Sequence, residues 1–217
     1  MSEMSYLERV ARGLAKVSHV PAQVLPATMA VMYVLLIDRS GSMGTPCGRT
    51  NRLVAAQNAT IAMLDARQER GVEDQVAVIA FDDDAELVLP FTPCKENRGL
   101  IDESIRAIGV AGGTDLNAAF ATAMRILPPN ERVHMIMLTD GHGGDPTKVA
   151  AALKGRGVVI ETIGVGESHD EVNETILKRT ASVLDRKVLY RFLTDADEMV
   201  TYFRTEVANR LVKVADR

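Results

Sequence analysis

Four apolar runs along the chain predict strands that are buried on both faces. In chain order they cover residues 30–38, 75–81, 132–140 and 157–166. Their side chains are mostly aliphatic and do not alternate with polar ones, which is typical of the central strands of a parallel sheet. A shorter run at 86–91 contains Pro90, which favours an edge strand because proline cannot donate a ladder hydrogen bond.

Segments with helical periodicity separate these strands. The predicted helices cover residues 53–69, 99–108, 116–127, 146–154, 170–184 and 195–213, and one more strand covers 187–192. Strands that alternate with helices indicate a parallel sheet with helices on both faces. We therefore predict an α/β, Rossmann-like fold: a doubly wound, mostly parallel six-stranded sheet with one short antiparallel edge strand.

Apolar stripes of helical spacing lie near the two ends of the chain. The first stripe consists of Leu7, Val10, Leu14 and Val17, and the second of Met199, Phe203, Val207 and Leu211. An apolar helix face needs a surface to cover. We expect the second stripe to pack on the sheet, and the first to dock either on the domain or on a partner. Residues 1–28 are thus predicted to be a helical extension of a single domain at 29–217.

Composition limits the classes of partner. The 217 residues are 47% hydrophobic and 25% charged, which is typical of a folded globular chain. A net charge of −4, only 4% aromatic residues and the lack of Trp argue against nucleic-acid binding. No apolar stretch reaches the roughly 18 residues that suggest a membrane span. We expect neither a nucleic-acid nor a membrane partner, and the oligomeric state stays open.

Two further features favour a cytoplasmic protein. Charged residues interrupt any signal-peptide core near the N-terminus, namely Glu8, Arg9, Arg12 and Lys16. Cys47 and Cys94 are the two cysteines of the chain, which is too few for a disulfide framework. We expect both to be free thiols.

Three segments bring oxygen-bearing side chains to the carboxyl edge of the predicted sheet, where doubly wound folds bind ligands. They are Asp38-Arg39-Ser40-Gly41-Ser42-Met43, Gly112-Gly113-Thr114-Asp115 and Thr139-Asp140-Gly141. The candidate ligands are two carboxylates and three hydroxyls. Such hard oxygen ligands suit Mg²⁺, Mn²⁺ or Ca²⁺ rather than Zn²⁺ or copper.

Taken singly, each segment has an ordinary explanation as a turn or a helix cap. Taken in order, the motifs DRSGSM, GGTD and LTDG resemble the metal-ion-dependent adhesion site of the von Willebrand factor A (VWA) domain. The resemblance covers residues 29–213. It implies that a divalent cation, Mg²⁺ or otherwise Mn²⁺ or Ca²⁺, is held by Asp38, Ser40, Ser42, Thr114 and Asp140. One coordination position would stay open for a carboxylate.

The function that this resemblance implies is metal-dependent protein–protein interaction without catalysis. A partner protein would supply a Glu or Asp to the cation. The flanking residues that we expect to contact the partner are Arg39, Met43, Asp115 and His142. The chain is also similar to bacterial intracellular VWA proteins, some of them associated with tellurite resistance, which implies a subunit of an intracellular complex in a stress response.

The alternative is a Mg²⁺-dependent phosphohydrolase or phosphotransferase in which Asp38 is the nucleophile. Against it, Ser40 stands where an aspartyl-phosphatase would have a second carboxylate. The sequence also has neither a GxxxxGK[ST] phosphate loop nor a GxSxG nucleophile elbow.

Three expectations concern the surroundings of the site. Asp38 is expected at a solvent-facing strand end, where its removal costs little stability. The acidic turn at 82–84 is expected to be solvated rather than to hold a second cation. In some VWA domains the final helix slides when the metal site rearranges, and the resemblance implies that this chain could do the same. We favour instead a fixed final helix that closes the core.

Overall fold

The computed structural model describes residues 30–129 and 131–210. The predicted N-terminal helix with its stripe, and Leu211 of the second stripe, lie outside the described residues. Among the helices in these two ranges, none combines the length and the apolar character that crossing a membrane requires.

A six-stranded sheet forms the centre of the molecule. Its strands are β1 (Met32–Asp38), β2 (Gln75–Phe81), β3 (Ala85–Pro93), β4 (Val133–Thr139), β5 (Val159–Val165) and β6 (Tyr190–Leu193). Their spatial order is β6-β5-β4-β1-β2-β3, and each neighbouring pair is parallel except β2 with β3. The predicted sheet is confirmed, although its antiparallel edge strand is nine residues long and not short.

Helices cover both faces of this sheet. They are α1 (Arg52–Gln68), α2 (Arg98–Arg106), α3 (Leu116–Ile126), α4 (Thr147–Gly155), α5 (Glu174–Thr180) and α6 (Ala196–Tyr202). Leu35 and Leu36 of β1 point to opposite faces, as successive strand residues do. Leu35 joins the apolar cluster under α1, α2 and α6, whereas Leu36 joins the cluster under α3, α4 and α5. Burial on both sides explains why the apolar runs do not alternate.

The helix predicted at 170–184 is confirmed only over Glu174–Thr180, which a 3₁₀ turn at His169–Glu171 precedes. α5 ends at Thr180, and a hairpin over residues 183–188 follows it. At its tip Asp185 and Arg186 have φ values of 48° and 65°, a left-handed conformation that a continuing helix excludes. The hairpin forms by pairing between two short strands, which the apolar periodicity of the segment does not show.

The final helix begins after Asp195, whose side chain accepts hydrogen bonds from backbone N–H groups of the first turn. α6 continues directly into a π-helical turn at Phe203–Val207. Three members of the predicted stripe are fully buried against the core, namely Met199, Phe203 and Val207. The stripe is thus confirmed within the described residues.

Candidate metal centre

The three loops that carry the predicted ligands meet at the carboxyl edge of the sheet. β1 lies between β2 and β4, so the loop that follows it has a neighbour on each side. The backbone N–H of Gly41 donates to the carbonyl of Gly112 at 3.1 Å and joins this loop to the one after α2. The N–H of Leu116 donates to the carbonyl of Gly143 at 2.9 Å and joins that second loop to the one after β4.

Asp38 is the last residue of β1 and is completely buried. Its Oδ1 accepts a hydrogen bond from Ser40 N–H at 2.8 Å, and its Oδ2 accepts one from Thr139 Oγ1 at 2.5 Å. Burial raises the pKa of Asp38 from 3.8 to about 6, and Asp140 adds to the rise while the hydrogen bonds oppose it. The expected solvent-facing position is therefore wrong, because the surrounding loops close over the end of the strand.

Ser40 and Ser42 direct their hydroxyls towards one another, with the two Oγ atoms 3.1 Å apart. A 3₁₀ turn at Gly41–Gly44 produces this arrangement, and Thr45 Oγ1 supports it by donating to the carbonyl of Ser42 at 2.7 Å. Ser40 is buried, whereas Ser42 is only half-buried. The turn thus aims alternate side chains at one region, as the spacing predicts.

Asp140 and Thr139 are contributed by the end of β4. Asp140 is 4% exposed, and its Oδ1 accepts from His142 N–H at 3.1 Å. Thr139 accepts from Gly141 N–H at 3.0 Å while it donates to Asp38. Sequence reasoning missed Thr139 as a positioning residue. The signal that could have found it is a hydroxyl side chain that ends an otherwise apolar strand directly before an aspartate.

Thr114 packs against Gly143, which belongs to the loop after β4. That glycine has a φ of 104°, and a Cβ at this position would stand 2.2 Å from the carbonyl oxygen of Thr114. Only a residue without a side chain permits so close an approach. The contact keeps half-buried Thr114 beside the loop that begins with Asp140.

A cavity of about 450 Å³ opens next to these residues. Its lining includes Ser42, Asp140, Arg52, His142, Glu167 and Glu171. A molecule that entered the cavity would therefore contact two of the predicted ligands.

The family model of the von Willebrand factor type A domain matches residues 33–142, which is just over half of the chain. The chain belongs to this family. The matched range contains all five predicted ligands and the loops that carry them. Among curated proteins, none matches the sequence.

Solved structures with the fold of this VWA domain come from diverse proteins. BatB from Bacteroides thetaiotaomicron is 22% identical with a TM-score of 0.64, and the match covers 83% of this chain and 97% of that one. A von Willebrand factor type A protein from Catenulispora acidiphila is 22% identical with a TM-score of 0.63, covering 86% and 48%. Proximal thread matrix protein 1 from the mussel byssus, with a zinc-occupied metal-ion-dependent adhesion site, is 21% identical with a TM-score of 0.69, covering 88% and 48%. Such identities show a shared fold alone.

The four residues that we expect to contact a partner differ in burial and in hydrogen bonding. Met43 is completely buried under α1, so the expectation for this residue is corrected: the 3₁₀ turn points its side chain into the core. Arg39 is partly exposed and its Nε pairs with Asp82 at 2.8 Å. Asp115 caps α3 by accepting backbone hydrogen bonds of its first turn. His142 lies in the wall of the cavity.

The acidic turn after β2 supports the loop of Thr114. Asp82 receives the Arg39 guanidinium, and Asp83 Oδ2 accepts from Gly113 N–H at 2.8 Å. Asp82 is 9% exposed, so the expectation of a solvated turn is wrong for this residue. The turn thus contacts the first of the three loops through Arg39 and the second through Gly113.

The residues of the site fit a divalent cation. Asp38 is a buried carboxylate close enough to Asp140 to feel its charge, and two serine hydroxyls lie together nearby. In residues 30–129 and 131–210, no group of three or more His, Cys, Asp or Glu side chains could hold a metal. A cation here would therefore need hydroxyl ligands in addition to the two carboxylates, which is the donor set that the motifs predict.

Proposed function

We propose that this VWA domain binds partner proteins through a divalent cation held by Asp38, Ser40, Ser42, Thr114 and Asp140. The observation that carries the proposal is the buried Asp38 carboxylate beside paired serine hydroxyls, at the edge of an open cavity. A cation would compensate the charge that burial disfavours. VWA domains are in general interaction modules, which supports the same conclusion.

The cation supplies an electrophilic centre to which a Glu or Asp of the partner can bind. The ligands carry only two negative charges, so a third carboxylate from outside is electrostatically acceptable. Mg²⁺ is the proposed ion, with Mn²⁺ and Ca²⁺ as further candidates, because all five ligands are oxygens. Zinc belongs in the test because it occupies this motif in the mussel protein of the same fold.

We further propose that the protein acts inside the cell as a subunit of a complex. Two buried, free cysteines, Cys47 and Cys94, are consistent with a reducing compartment. The resemblance to bacterial intracellular VWA proteins supports a stress response as the setting. Arg39, Asp115 and His142 are proposed to contribute contacts around the metal-bound carboxylate.

Calorimetric titration of metal-free protein with Mg²⁺, Mn²⁺, Ca²⁺ and Zn²⁺ tests the metal centre. We expect modest Mg²⁺ affinity, weaker than about 1 μM, because hydroxyls are neutral ligands and the coordination shell stays incomplete without a partner. Asp38→Asn should abolish binding, and Asp170→Asn, which changes an exposed carboxylate, should preserve it. Binding that is unchanged in Asp38→Asn would refute the site.

The interaction itself is tested with a blocked peptide, acetyl-Gly-Glu-Gly-amide, and its Gln counterpart. NMR titration should show binding of the Glu peptide with Mg²⁺ present, and its loss with EDTA or in Asp38→Asn. The Gln peptide should not bind. Equal binding of the two peptides would contradict a metal-bound carboxylate.

The same variants distinguish the interaction proposal from the phosphohydrolase alternative. Both oxygens of Asp38 already accept hydrogen bonds, an arrangement that suits a fixed ligand better than an attacking nucleophile. Hydrolysis of p-nitrophenyl phosphate that requires Mg²⁺ and is lost in Asp38→Asn would overturn the interaction proposal.

A further inference from the structure

The cavity beside the metal centre contains a buried arginine, Arg52, which opens α1. Its side chain is 6% exposed. Its backbone N–H donates to the carbonyl of Thr45 at 3.0 Å, and Thr45 Oγ1 donates to the carbonyl of Ser42 at 2.7 Å. Two consecutive hydrogen bonds thus tie Arg52 to the loop that holds a predicted metal ligand.

The hydrogen-bonding edge of Arg52 is only half used. The Nε and Nη2 groups of an arginine form one edge that binds a carboxylate through two parallel hydrogen bonds. Arg67 shows the full arrangement, since its Nε and Nη2 donate to Asp74 at 2.6 and 2.8 Å. In Arg52, Nη2 donates to Glu171 Oε2, but the buried Nε has no hydrogen-bond partner among the described residues.

Glu171 accepts from only one of the two N–H groups on this edge of Arg52. Its side chain is 42% exposed, and the same Oε2 atom also accepts from Glu167 N–H at 3.1 Å. One carboxylate oxygen therefore serves two donors while the Nε of Arg52 stays unsatisfied. A carboxylate free to approach in the plane of the guanidinium could accept from both Nε and Nη2.

We propose that Arg52 is a second carboxylate subsite of this VWA domain. The partner presents two acidic side chains a short distance apart, one to the cation and the other to Arg52, and Glu171 withdraws into solvent. The inference rests on the proposed metal-dependent binding of an acidic residue, and it specifies the class of partner as a protein segment with paired acidic residues.

The charges of the cation, its two carboxylates and Arg52 agree with this assignment. A divalent cation is neutralised by Asp38 and Asp140, and the first carboxylate of the partner adds one negative charge. Arg52, once released from Glu171, offers the positive charge that a second carboxylate neutralises. Because both subsites border one cavity, a single short segment can reach them together.

Short peptides with blocked termini test the subsite. Each carries two Glu residues separated by zero, one or two Gly, and matched peptides have Gln or Lys in place of the second Glu. With saturating Mg²⁺, NMR titration should show at least one two-Glu peptide binding about tenfold more tightly than its Gln match. Arg52→Gln should remove this advantage, whereas Arg49→Gln should keep it, because Arg49 is an exposed arginine of the same charge.

Glu171→Gln gives a second measurement that leaves Arg52 in place, and it decides the question if Arg52→Gln does not fold. This variant should bind two-Glu peptides more tightly than wild type and single-Glu peptides equally well. Equal affinity for Glu and Gln peptides, or a preference for Lys, would overturn the subsite and leave metal-dependent binding intact. Failure of every peptide to bind with Mg²⁺ would overturn the proposed function and the subsite with it.

Discussion

The carboxylate of Asp38 shows how folding and binding conflict at the scale of one residue. Burial raises its pKa to about 6, so its ionised form destabilises the metal-free fold at neutral pH. Thr139 and the backbone of Ser40 offset part of this cost by hydrogen bonding. Asp38 thus lowers the stability of the metal-free fold although two hydrogen bonds fix its position. This combination is more typical of a cation ligand than of a residue with a structural role.

Relative to wild type, metal-free Asp38→Asn should become more stable as pH rises from about 4 to 6, because it has no carboxylate to ionise at this buried position. From about pH 4 to pH 6 the unfolded chain has released this proton while the folded protein retains it. The free energy of unfolding of wild type therefore falls through this window as pH rises. The shift is about two pKa units, and one unit corresponds to about 1.4 kcal/mol. The stability of the variant relative to wild type should therefore rise by about 3 kcal/mol between pH 4 and pH 7.

Urea unfolding with EDTA from pH 4 to pH 8 measures this effect. The difference between variant and wild type should grow up to about pH 6 and then stay constant. Asp170→Asn is the control, because that exposed carboxylate should change stability by less than about 0.5 kcal/mol. Parallel curves for wild type and Asp38→Asn would refute the burial argument.

Thr139→Val tests the positioning of Asp38 by its neighbour. The change leaves Asp38 Oδ2 without its donor and Gly141 N–H without its acceptor, so we expect a loss of about 1–3 kcal/mol in stability. Metal affinity should fall by about tenfold, because groups that orient metal ligands usually matter to that extent. Thr60→Val is the matched control. It removes a buried hydroxyl that donates to Ala56 about two helical turns beyond Arg52, the first residue of α1. It should lower stability without changing metal affinity.

At the scale of elements, Glu161 of β5 anchors the end of the final helix. It is completely buried, and its Oε1 accepts from Tyr202 Oη at 2.8 Å. Its Oε2 lies 3.2 Å from His134 Nε2 and 2.9 Å from Arg210 Nε. Burial alone would raise the pKa of Glu161, but these neighbours together hold it below its ordinary value. The anchor favours a helix that stays in one position.

Tyr202→Phe should therefore destabilise the domain by about 1.5–3 kcal/mol, the range for a hydrogen bond to a charged group. Hydrogen exchange along α6 should accelerate, whereas metal affinity should stay unchanged because the anchor and the metal centre are separate. Thr201→Val, on the exposed side of the same helix, should change stability by less than about 0.5 kcal/mol. Altered α6 exchange on adding Mg²⁺ to wild type would instead indicate that the helix responds to the site.

At the scale of the whole molecule, metal binding should stabilise the fold, because the ligand loops come from three separate parts of the chain. An unfolded chain does not keep Asp38, Thr114 and Asp140 together. At a metal concentration of about 100 times Kd, binding adds about 2.7 kcal/mol to the free energy of unfolding. For a domain of this size that corresponds to a rise in Tm of roughly 5–10 °C.

Thermal unfolding with Mg²⁺ or Mn²⁺ and with EDTA measures the rise. Asp38→Asn should lose it, and Asp170→Asn should keep it. A Tm that does not change with saturating metal in wild type would contradict a site built from these loops.

The sequence by itself determined the sheet and predicted the kind of chemistry at its edge. Apolar runs without alternation specify strands buried on both faces, because every residue of such a strand meets a packed layer. The motifs at 38–42, 112–115 and 139–141 predict oxygen ligands, because residue type at a strand end is a local property of the chain. Both inferences need only neighbours in sequence.

Tertiary structure alone decided the environment of each group. Asp38 is buried because loops distant in sequence close over the end of β1, and Met43 is buried because the core under α1 surrounds its side chain. Thr139 reaches Asp38 across 101 positions of sequence. Arg52 meets Glu171 across 119 positions, in a cavity that no periodicity reveals. The burial, pKa and hydrogen bonds of a side chain depend on which other side chains lie near it in space. Only the folded chain sets the distances between them.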